Sequence, residues 1–332
     1  MTTESASDID LVAKLLRTAG RREEPPAEAY ERTLAAATDA WERKVRARHQ
    51  RRAAGWAAIA ASVVAAVAAG LYVRDTGRDR GPIVARIDRV IGMAELRGAR
   101  DAGWTATRGQ ASDLSEGAWL RTDDGRLSVV LAGGASLRMD AGTEISLESA
   151  TRVRLVRGRV YLDNGTARGV QPIEVHTPAG TAWDAGTQFE VQYVDAAYRL
   201  RVREGRVHVR RGAEELESAA GEQVFIDASG TVTRGRIARD DVEWRWVEPL
   251  SRPPDLDGQP VSELLAWVAR ETGRTVRFEP PDIEERARRT ILHGDIQSLT
   301  PLEALAAMLE TTDLAHAFLE DGTIVIRSRA NR

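Results

Sequence analysis

The sequence contains no cysteine among its 332 residues. Disulfides, thiolate nucleophiles, iron–sulfur clusters and cysteine zinc sites are therefore all excluded. Aromatic residues make up only 5% of the chain, and the formal net charge is −3. Because a nucleic-acid-binding domain is normally basic, this near-neutral charge gives no support to direct nucleic-acid binding.

Lysine is almost absent, since Lys14 and Lys44 are the only lysines among 47 basic residues. A P-loop lysine, a kinase-type lysine or a Schiff-base lysine would have to be one of these two, and neither has the required neighbours. The histidines are scattered without metal-ligand spacing. They are His49, His176, His208, His293 and His316. These absences predict no catalytic residue, no metal site and no cofactor, so we do not expect an enzyme.

One long uncharged run occupies residues 53–73. As a helix it would be about 31 Å long, which matches a hydrocarbon core of about 30 Å. Trp56 and Tyr72 lie near its two ends and are predicted as membrane-interface anchors. The run predicts one uncleaved transmembrane helix. A buried helix of a soluble domain and a cleaved signal peptide are the alternatives, although the polar stretch before the run is far longer than a signal-peptide n-region.

The flanking charges predict the orientation of this span. Residues 43–52 hold six lysines and arginines, whereas the arginines that follow the span are interleaved with aspartates. Positive charge accumulates on the cytoplasmic side of a membrane helix. We therefore predict a single-pass topology with residues 1–52 in the cytoplasm and residues 74–332 outside.

The cytoplasmic segment, residues 1–52, has the pattern of two amphipathic helices. In the second helix an apolar stripe recurs at steps of three and four residues. This stripe is the candidate face for a cytoplasmic partner and includes Tyr30, Leu34, Trp41 and Val45. Short amphipathic helices must cover their apolar stripes. A self-packed helical hairpin that merely anchors the chain is an equally good interpretation.

Residues 82–232 change from helical to β periodicity. Short alternating runs such as residues 126–131, 173–177 and 188–194 are separated by glycine or aspartate turns. This pattern predicts an all-β domain. Strands this short, each apolar on one side, suggest stacked hairpins or a solenoid-like double sheet.

The motif IEVHTPAGTAWDAGTQFEVQY, followed by VREGRVHVRRG and AAGEQVFIDASG, resembles the FecR domain of periplasmic signal-transducing regulators. The resemblance covers about residues 82–232 and implies a FecR-like periplasmic domain. Its motif positions are strand interiors and turn glycines, which points to structural and not catalytic roles. These positions include Gly186, Thr187, Phe189, Val191, Gly205, Val207 and Gly221.

After the β-region, residues 233–253 are predicted as a linker. Within it Trp244 and Trp246 alternate, which places both on one side of a predicted strand. We expect these two indoles to pack in a core or between the two outer domains.

Residues 254–328 predict a small α/β module. The pattern predicts an amphipathic helix that ends at Gly273, followed by a strand at residues 290–296. It then predicts a second helix, capped by Thr300 and beginning at Pro301, and a hairpin that turns at Asp321–Gly322. This order resembles the secretin and TonB short N-terminal (STN) domain. The resemblance implies a module that binds other proteins, often by strand pairing at a sheet edge.

Together the resemblances imply a multi-domain inner-membrane protein with its N-terminus in the cytoplasm and its C-terminus in the periplasm. The implied partners are a cytoplasmic extracytoplasmic-function sigma factor, the periplasmic signalling domain of a TonB-dependent outer-membrane transporter or a similar protein, and the lipid bilayer. Many family members have a longer cytoplasmic domain with several tryptophans, whereas residues 1–52 hold only Trp41. An envelope structural or binding scaffold without a sigma-factor partner is the alternative.

Overall fold

The computed structural model describes residues 13–15, 17–18, 28, 31, 81–109, 111–165, 171–184 and 186–329. The chain divides into two compact units, Met1–Arg78 and Asp79–Arg332. None of the helices in the described ranges is both long enough and apolar enough to cross a membrane. The predicted span 53–73 lies outside those ranges. The predicted positions Tyr30, Leu34, Trp41, Val45, Trp56 and Tyr72 lie outside them as well.

The second unit begins with a β-domain between residues 83 and 236. Its strands are β1 (Ile83–Ile91), β2 (Ala94–Arg97), β3 (Thr105–Thr107), β4 (Asp113–Ser115), β5 (Trp119–Thr122), β6 (Arg126–Leu131), β7 (Ser136–Met139), β8 (Glu144–Leu147), β9 (Arg152–Asp163), β10 (Ile173–Thr177), β11 (Gly180–Asp184), β12 (Gln188–Val194), β13 (Ala197–Glu204), β14 (Arg206–Arg211), β15 (Glu214–Ala219), β16 (Glu222–Ile226) and β17 (Val232–Arg236). This architecture confirms the all-β prediction for this region.

The strands form two layers that share β9. Sheet A has the order β4-β1-β6-β7-β9-β12-β13-β16-β17. Sheet B has the order β3-β2-β5-β8-β9-β10-β11-β14-β15. Most neighbours are antiparallel, and the pair β9–β10 is parallel.

Strand β9 crosses from sheet B to sheet A at Gly158. Before this glycine the strand pairs with β8, and after it the strand pairs with β7 and β12. Gly158 has φ +95°, and a Cβ atom there would lie 2.5 Å from Thr143 Cα. Only glycine fits this bend. Residues Arg152–Asp163 therefore form one bent strand.

The core of the β-domain lies between the two sheets. Alternate residues of each strand point inward and exclude water, as the period-two pattern requires. Fully buried members from both sheets include Leu120, Val129, Leu155, Leu162, Phe189 and Val209.

The C-terminal module comprises three helices and a three-stranded sheet. Its elements are α1 (Val261–Thr272), β18 (Val276–Phe278), α2 (Ile283–Arg289), α3 (Pro301–Glu310), β19 (Leu314–Phe318) and β20 (Ile324–Ser328). The sheet order is β18-β20-β19, with β18 parallel and β19 antiparallel to β20. The predicted stop at Gly273 is confirmed, since it is left-handed with φ +70°. The helix start at Pro301 is also confirmed.

One strand predicted in this module is wrong. Residues 290–296 contribute only an isolated bridge between Ile291 and Pro260. The buried residues are Leu292 and Ile296, four positions apart, and Ile291 is 47% exposed. That spacing is not the period of two that a strand requires. Helix α2, by contrast, was not predicted.

The strand predicted around the two tryptophans is also wrong. Val242–Leu250 is a 3-10 helix. Buried Trp244, Val247 and Leu250 recur every third residue, which is the repeat of a helix with three residues per turn. Asp241 Oδ1 accepts a hydrogen bond of 2.9 Å from the Glu243 backbone N–H and caps the first turn.

Candidate functional site

The 3-10 helix joins the β-domain to the C-terminal module through a hydrophobic cluster on the outer face of sheet A. Tyr161 projects from β9 onto that face and meets Trp244 edge to face, with ring centroids 6.0 Å apart. Trp244 donates from Nε1 to the Ala238 carbonyl at 2.8 Å. Ile237, Trp246, Val247 and Leu250 complete this linker cluster. Packing of the predicted linker therefore fixes the two parts of the unit together.

A buried ion pair lies beside the linker cluster. Arg138 of β7 donates from Nη1 and Nη2 to the two carboxylate oxygens of Glu271 in α1, at 2.7 and 3.0 Å. The side chains of Arg138 and Glu271 are 1% and 7% exposed. Arg138 also donates to the Val247 carbonyl at 3.1 Å. Burial alone would lower the pKa of Arg138, but Glu271 raises that pKa above its usual range, so Arg138 is charged.

Further β-domain side chains hold the C-terminal end of α1. Arg203 donates from Nη1 to the Glu271 carbonyl at 2.9 Å, where a cation also complements the helix dipole. Arg270 of α1 pairs with Asp163 of β9, and its Nη1 lies 3.3 Å from Glu204. Although burial would raise it, Arg270 holds the pKa of Asp163 below its usual range. We call Arg138, Arg203, Asp163, Arg270 and Glu271 the coupling interface.

Glu190 of β12 is the other buried charge on this face. Its carboxylate accepts a hydrogen bond of 3.0 Å from Trp246 Nε1. Arg201 and Arg199 lie at 3.5 Å and Arg159 at 3.7 Å. Burial raises the pKa of Glu190, and the arginines oppose that rise. The Glu190 carboxylate is fully buried, and its hydrogen bond from Trp246 anchors the 3-10 helix.

Strand β19 forms one of the two edges of the small sheet, and β18 forms the other. Hydrogen bonds from Arg329 N to the Asp313 carbonyl and from Leu319 N to the Thr323 carbonyl fix the register with β20. Because outward and inward groups alternate along an antiparallel ladder, the N–H and C=O groups of His316 and Phe318 point away from β20. Phe318 is 47% exposed.

The sequence of β19 itself lacks the residues that usually prevent pairing with another chain, although Arg274 lies over the Phe318 ring and Arg329 Nη2 donates to the Leu314 carbonyl. Its sequence, LAHAF, contains no proline and no lysine, arginine or acidic residue. Edge strands commonly carry such residues to prevent pairing. The β15 edge of sheet B provides a contrast, since its sequence is EELESA. Strand β19 is therefore a candidate site for strand addition.

The sequence-predicted motif residues all lie in the β-domain. Phe189 and Val191 in β12 and Val207 in β14 are fully buried in the core. Gly186 and Gly221 occupy turns with φ +85° and +82°.

The remaining two motif residues contact each other. Gly205 has φ +80°, and a Cβ atom there would lie 2.3 Å from Thr187 Cγ2. Thr187 donates from its backbone N–H and its hydroxyl to Asp184. Both residues shape the turns at this end of the sandwich.

The histidines of the described ranges are dispersed. His176 lies 2.9 Å from Glu174, His208 stacks on Trp183, and His293 lies 3.2 Å from Asp257. Across these ranges, no group of three or more histidine, aspartate or glutamate residues could hold a metal ion. His49 lies outside them.

Comparison with known proteins finds a family match within the β-domain. Residues 119–208 match the family model described as FecR protein, which supports the FecR resemblance for this part of the chain. The match extends from β5 into β14 and does not include the C-terminal module. No curated protein matches the chain.

Two crystal structures of a candidate anti-sigma factor from Parabacteroides distasonis are similar to the chain. Each is 18% identical and covers 63% of this chain. One alignment covers 97% of the bacterial protein with a TM-score of 0.36, and the other covers 96% with a TM-score of 0.35. At these values the likeness carries no inference about what this chain binds.

Proposed function

We propose that this protein is a single-pass inner-membrane regulator that relays a periplasmic signal to a cytoplasmic sigma factor of the extracytoplasmic-function class. The match of residues 119–208 to the FecR family carries this proposal. The uncharged run at residues 53–73 and its basic N-terminal flank support the topology. The apolar stripe of Tyr30, Leu34, Trp41 and Val45 is the proposed contact with the sigma factor.

The coupling interface supplies a physical route for the signal through the outer part of the protein. Arg138 and Glu271 are desolvated and doubly hydrogen bonded, and Arg203 and Arg270 hold the same end of α1. Packed elements of this kind move as rigid bodies and not by continuous deformation. A partner that reorients the C-terminal module therefore reorients the β-domain with it.

The proposed signal input is the free edge of β19. The outward backbone groups of His316 and Phe318 match those of an added strand. A periplasmic signalling domain of a TonB-dependent transporter, or a similar protein, is the proposed partner, and the STN resemblance of residues 254–328 supports this choice.

The membrane topology is tested with reporter fusions at Arg48 and Gly98. We expect alkaline phosphatase to be inactive at Arg48 and active at Gly98, because that enzyme folds only outside the cytoplasm. Phosphatase activity at Arg48, or its loss at Gly98, would contradict the orientation.

Sigma-factor binding is tested by co-purification from solubilised membranes. We expect the full chain to recover one sigma factor, and we expect deletion of residues 1–52 to lose it. Substitution of Trp41 by alanine should weaken recovery, whereas alanine at Lys14, off the stripe, should not. If every partner recovered binds the region after residue 74 and none depends on residues 1–52, the envelope-scaffold alternative is supported instead.

A further inference from the structure

A second aromatic and cationic cluster lies on the outer face of sheet B. Arg97 of β2 lies over the rings of Trp104 and Trp119, at 4.9 and 5.0 Å from their centroids. Arg121 of β5 covers Trp104 at 4.4 Å and pairs with Glu95. The two indoles are half-buried and belong to none of the hydrophobic cores found in the described ranges. We call Arg97, Trp104, Trp119 and Arg121 the Trp–Arg cluster.

The Trp–Arg cluster lies at the end of the β-domain where the chain enters. The Pro82 carbonyl accepts a 3.0 Å hydrogen bond from the Glu116 backbone N–H. At the neighbouring Gly117, a Cβ atom would lie 2.7 Å from the Ala99 Cβ. Two residues later, Trp119 pairs with Arg97 across the β5–β2 ladder. Ile83, at the same end, is 57% exposed.

The sequence places the membrane close to this end. Nine residues separate position 73, the end of the predicted span, from Ile83. Fully extended, the ten Cα–Cα steps from position 73 to Ile83 reach at most about 36 Å. A short tether keeps the cluster at a high effective concentration next to the bilayer surface.

The chemistry of the cluster suits a phospholipid surface. Indoles favour the interfacial region of a bilayer, and a guanidinium group can bury its stem while it binds phosphate in water. Arg97 lies over both indoles and makes no ion pair within the described ranges, whereas Arg121 is already paired with Glu95; Arg97 is therefore the member of the cluster that could take an anionic partner. We propose that the Trp–Arg cluster docks on the anionic phospholipid surface beside the membrane anchor. This inference rests on the anchor of the proposed function.

This docking would orient the whole outer unit. The C-terminal module packs on the outer face of sheet A, whereas the Trp–Arg cluster lies on the outer face of sheet B. These faces are on opposite sides of the sandwich. With sheet B toward the lipid, the edge of β19 is presented away from the membrane, where a partner can reach it.

The test uses the full chain in nanodiscs of phosphatidylcholine and phosphatidylglycerol, with brominated acyl chains that quench nearby indoles. We expect Trp104→Phe to remove part of the lipid-dependent quenching. Trp267→Phe is the matched control, because Trp267 is a half-buried indole in α1 on the opposite side of the sandwich. Arg97→Gln should lower the docked population about fivefold, the effect of one basic residue at an anionic surface.

The anchor and the docking surface are distinguished by Trp56→Phe, since Trp56 lies in the predicted span. If Trp56 is quenched but Trp104→Phe changes quenching no more than Trp267→Phe, the docking proposal is overturned and the anchor stands. If the chain does not enter nanodiscs, the anchor of the proposed function fails. Quenching of Trp104 that is unchanged by Arg97→Gln and by omission of phosphatidylglycerol would overturn the role of anionic lipid.

Discussion

Substitution of Glu271 by glutamine tests the coupling interface most sharply. The change keeps the shape of the side chain but leaves the Arg138 guanidinium, only 1% exposed, without its counter-charge. Removal of one partner of a buried ion pair costs about 3–5 kcal/mol, because the remaining charge is desolvated and unpaired. Solvent screening does not reduce this figure, since both partners are buried. We therefore expect the free energy of unfolding to fall by about that amount.

The measurement is urea unfolding of the full chain followed by the fluorescence of its eight tryptophans, two of which, Trp244 and Trp246, lie in the linker cluster. The matched control is Glu174→Gln, which removes a carboxylate paired with Arg152 at 3.2 Å where the side chains are 38% and 49% exposed. Exposed pairs contribute less than about 1 kcal/mol. If Glu271→Gln lowers the free energy of unfolding no more than Glu174→Gln does, the coupling interface does not hold the C-terminal module on the β-domain.

A double substitution separates the charge from the packing. Replacement of Arg138 by methionine together with Glu271 by leucine removes both charges and fills the same volume. Since apolar replacement of a whole buried pair is often neutral or stabilising, we expect the double variant to recover most of the stability lost in Glu271→Gln. A double variant as unstable as the single one would show that the charges themselves are not the cause.

Three further substitutions test individual features of the fold. Because Arg270 lowers the pKa of Asp163 despite its burial, this pair should stabilise the fold above about pH 4 and lose that contribution as the pH falls below it. Asp163→Asn should therefore flatten the dependence of the free energy of unfolding on pH, measured between about pH 3 and 6. An unchanged slope would refute the assignment. Gly158→Ala should cost more than about 2 kcal/mol, because of its positive φ and its approach to Thr143; a smaller loss of denaturation midpoint would mean that the β9 crossing relaxes. Ala196→Gly should stabilise by about 1 kcal/mol, because Ala196 has φ +60°; no gain in midpoint would mean that the hairpin turn is not strained.

Much of the β-domain could be predicted because its signal is local. The predicted bounds of β6, β10 and β12 agree with the structure, since alternation within one strand records which side faces the core. Strands β2 and β15 were missed for opposite reasons. The first is only four residues long, and the second, EELESA, is polar on both sides because it is a sheet edge.

The coupling interface could not be predicted, because it depends on contacts that are distant in sequence. In the run SLRMD, Leu137 and Met139 point inward and Arg138 points outward, which is the pattern of an ordinary solvent-facing arginine. Its burial results from a helix 133 residues further along the chain. Alternation predicts which side of a sheet is outside but not what covers that side.

The environment of the linker tryptophans was predicted correctly, but their secondary structure was not. We expected Trp244 and Trp246 to pack in a core or between the outer domains, and both are buried where the β-domain meets α1. The predicted strand was wrong because Trp244, Val247 and Leu250 follow a three-residue repeat that alternate spacing of two indoles concealed. The repeat was present in the sequence and could have been found.

The relay itself is tested most directly by transcript profiling of cells that lack this protein or carry His316→Pro. Proline is tolerated at position 316 because the N–H group it removes points away from β20, yet it blocks strand addition at β19. We predict that loss of the protein changes the transcripts of a single sigma-factor regulon, and that His316→Pro, present at normal level in the membrane, alters the inducible part of that same set. If loss of the protein leaves every sigma-factor regulon unchanged, the relay is contradicted.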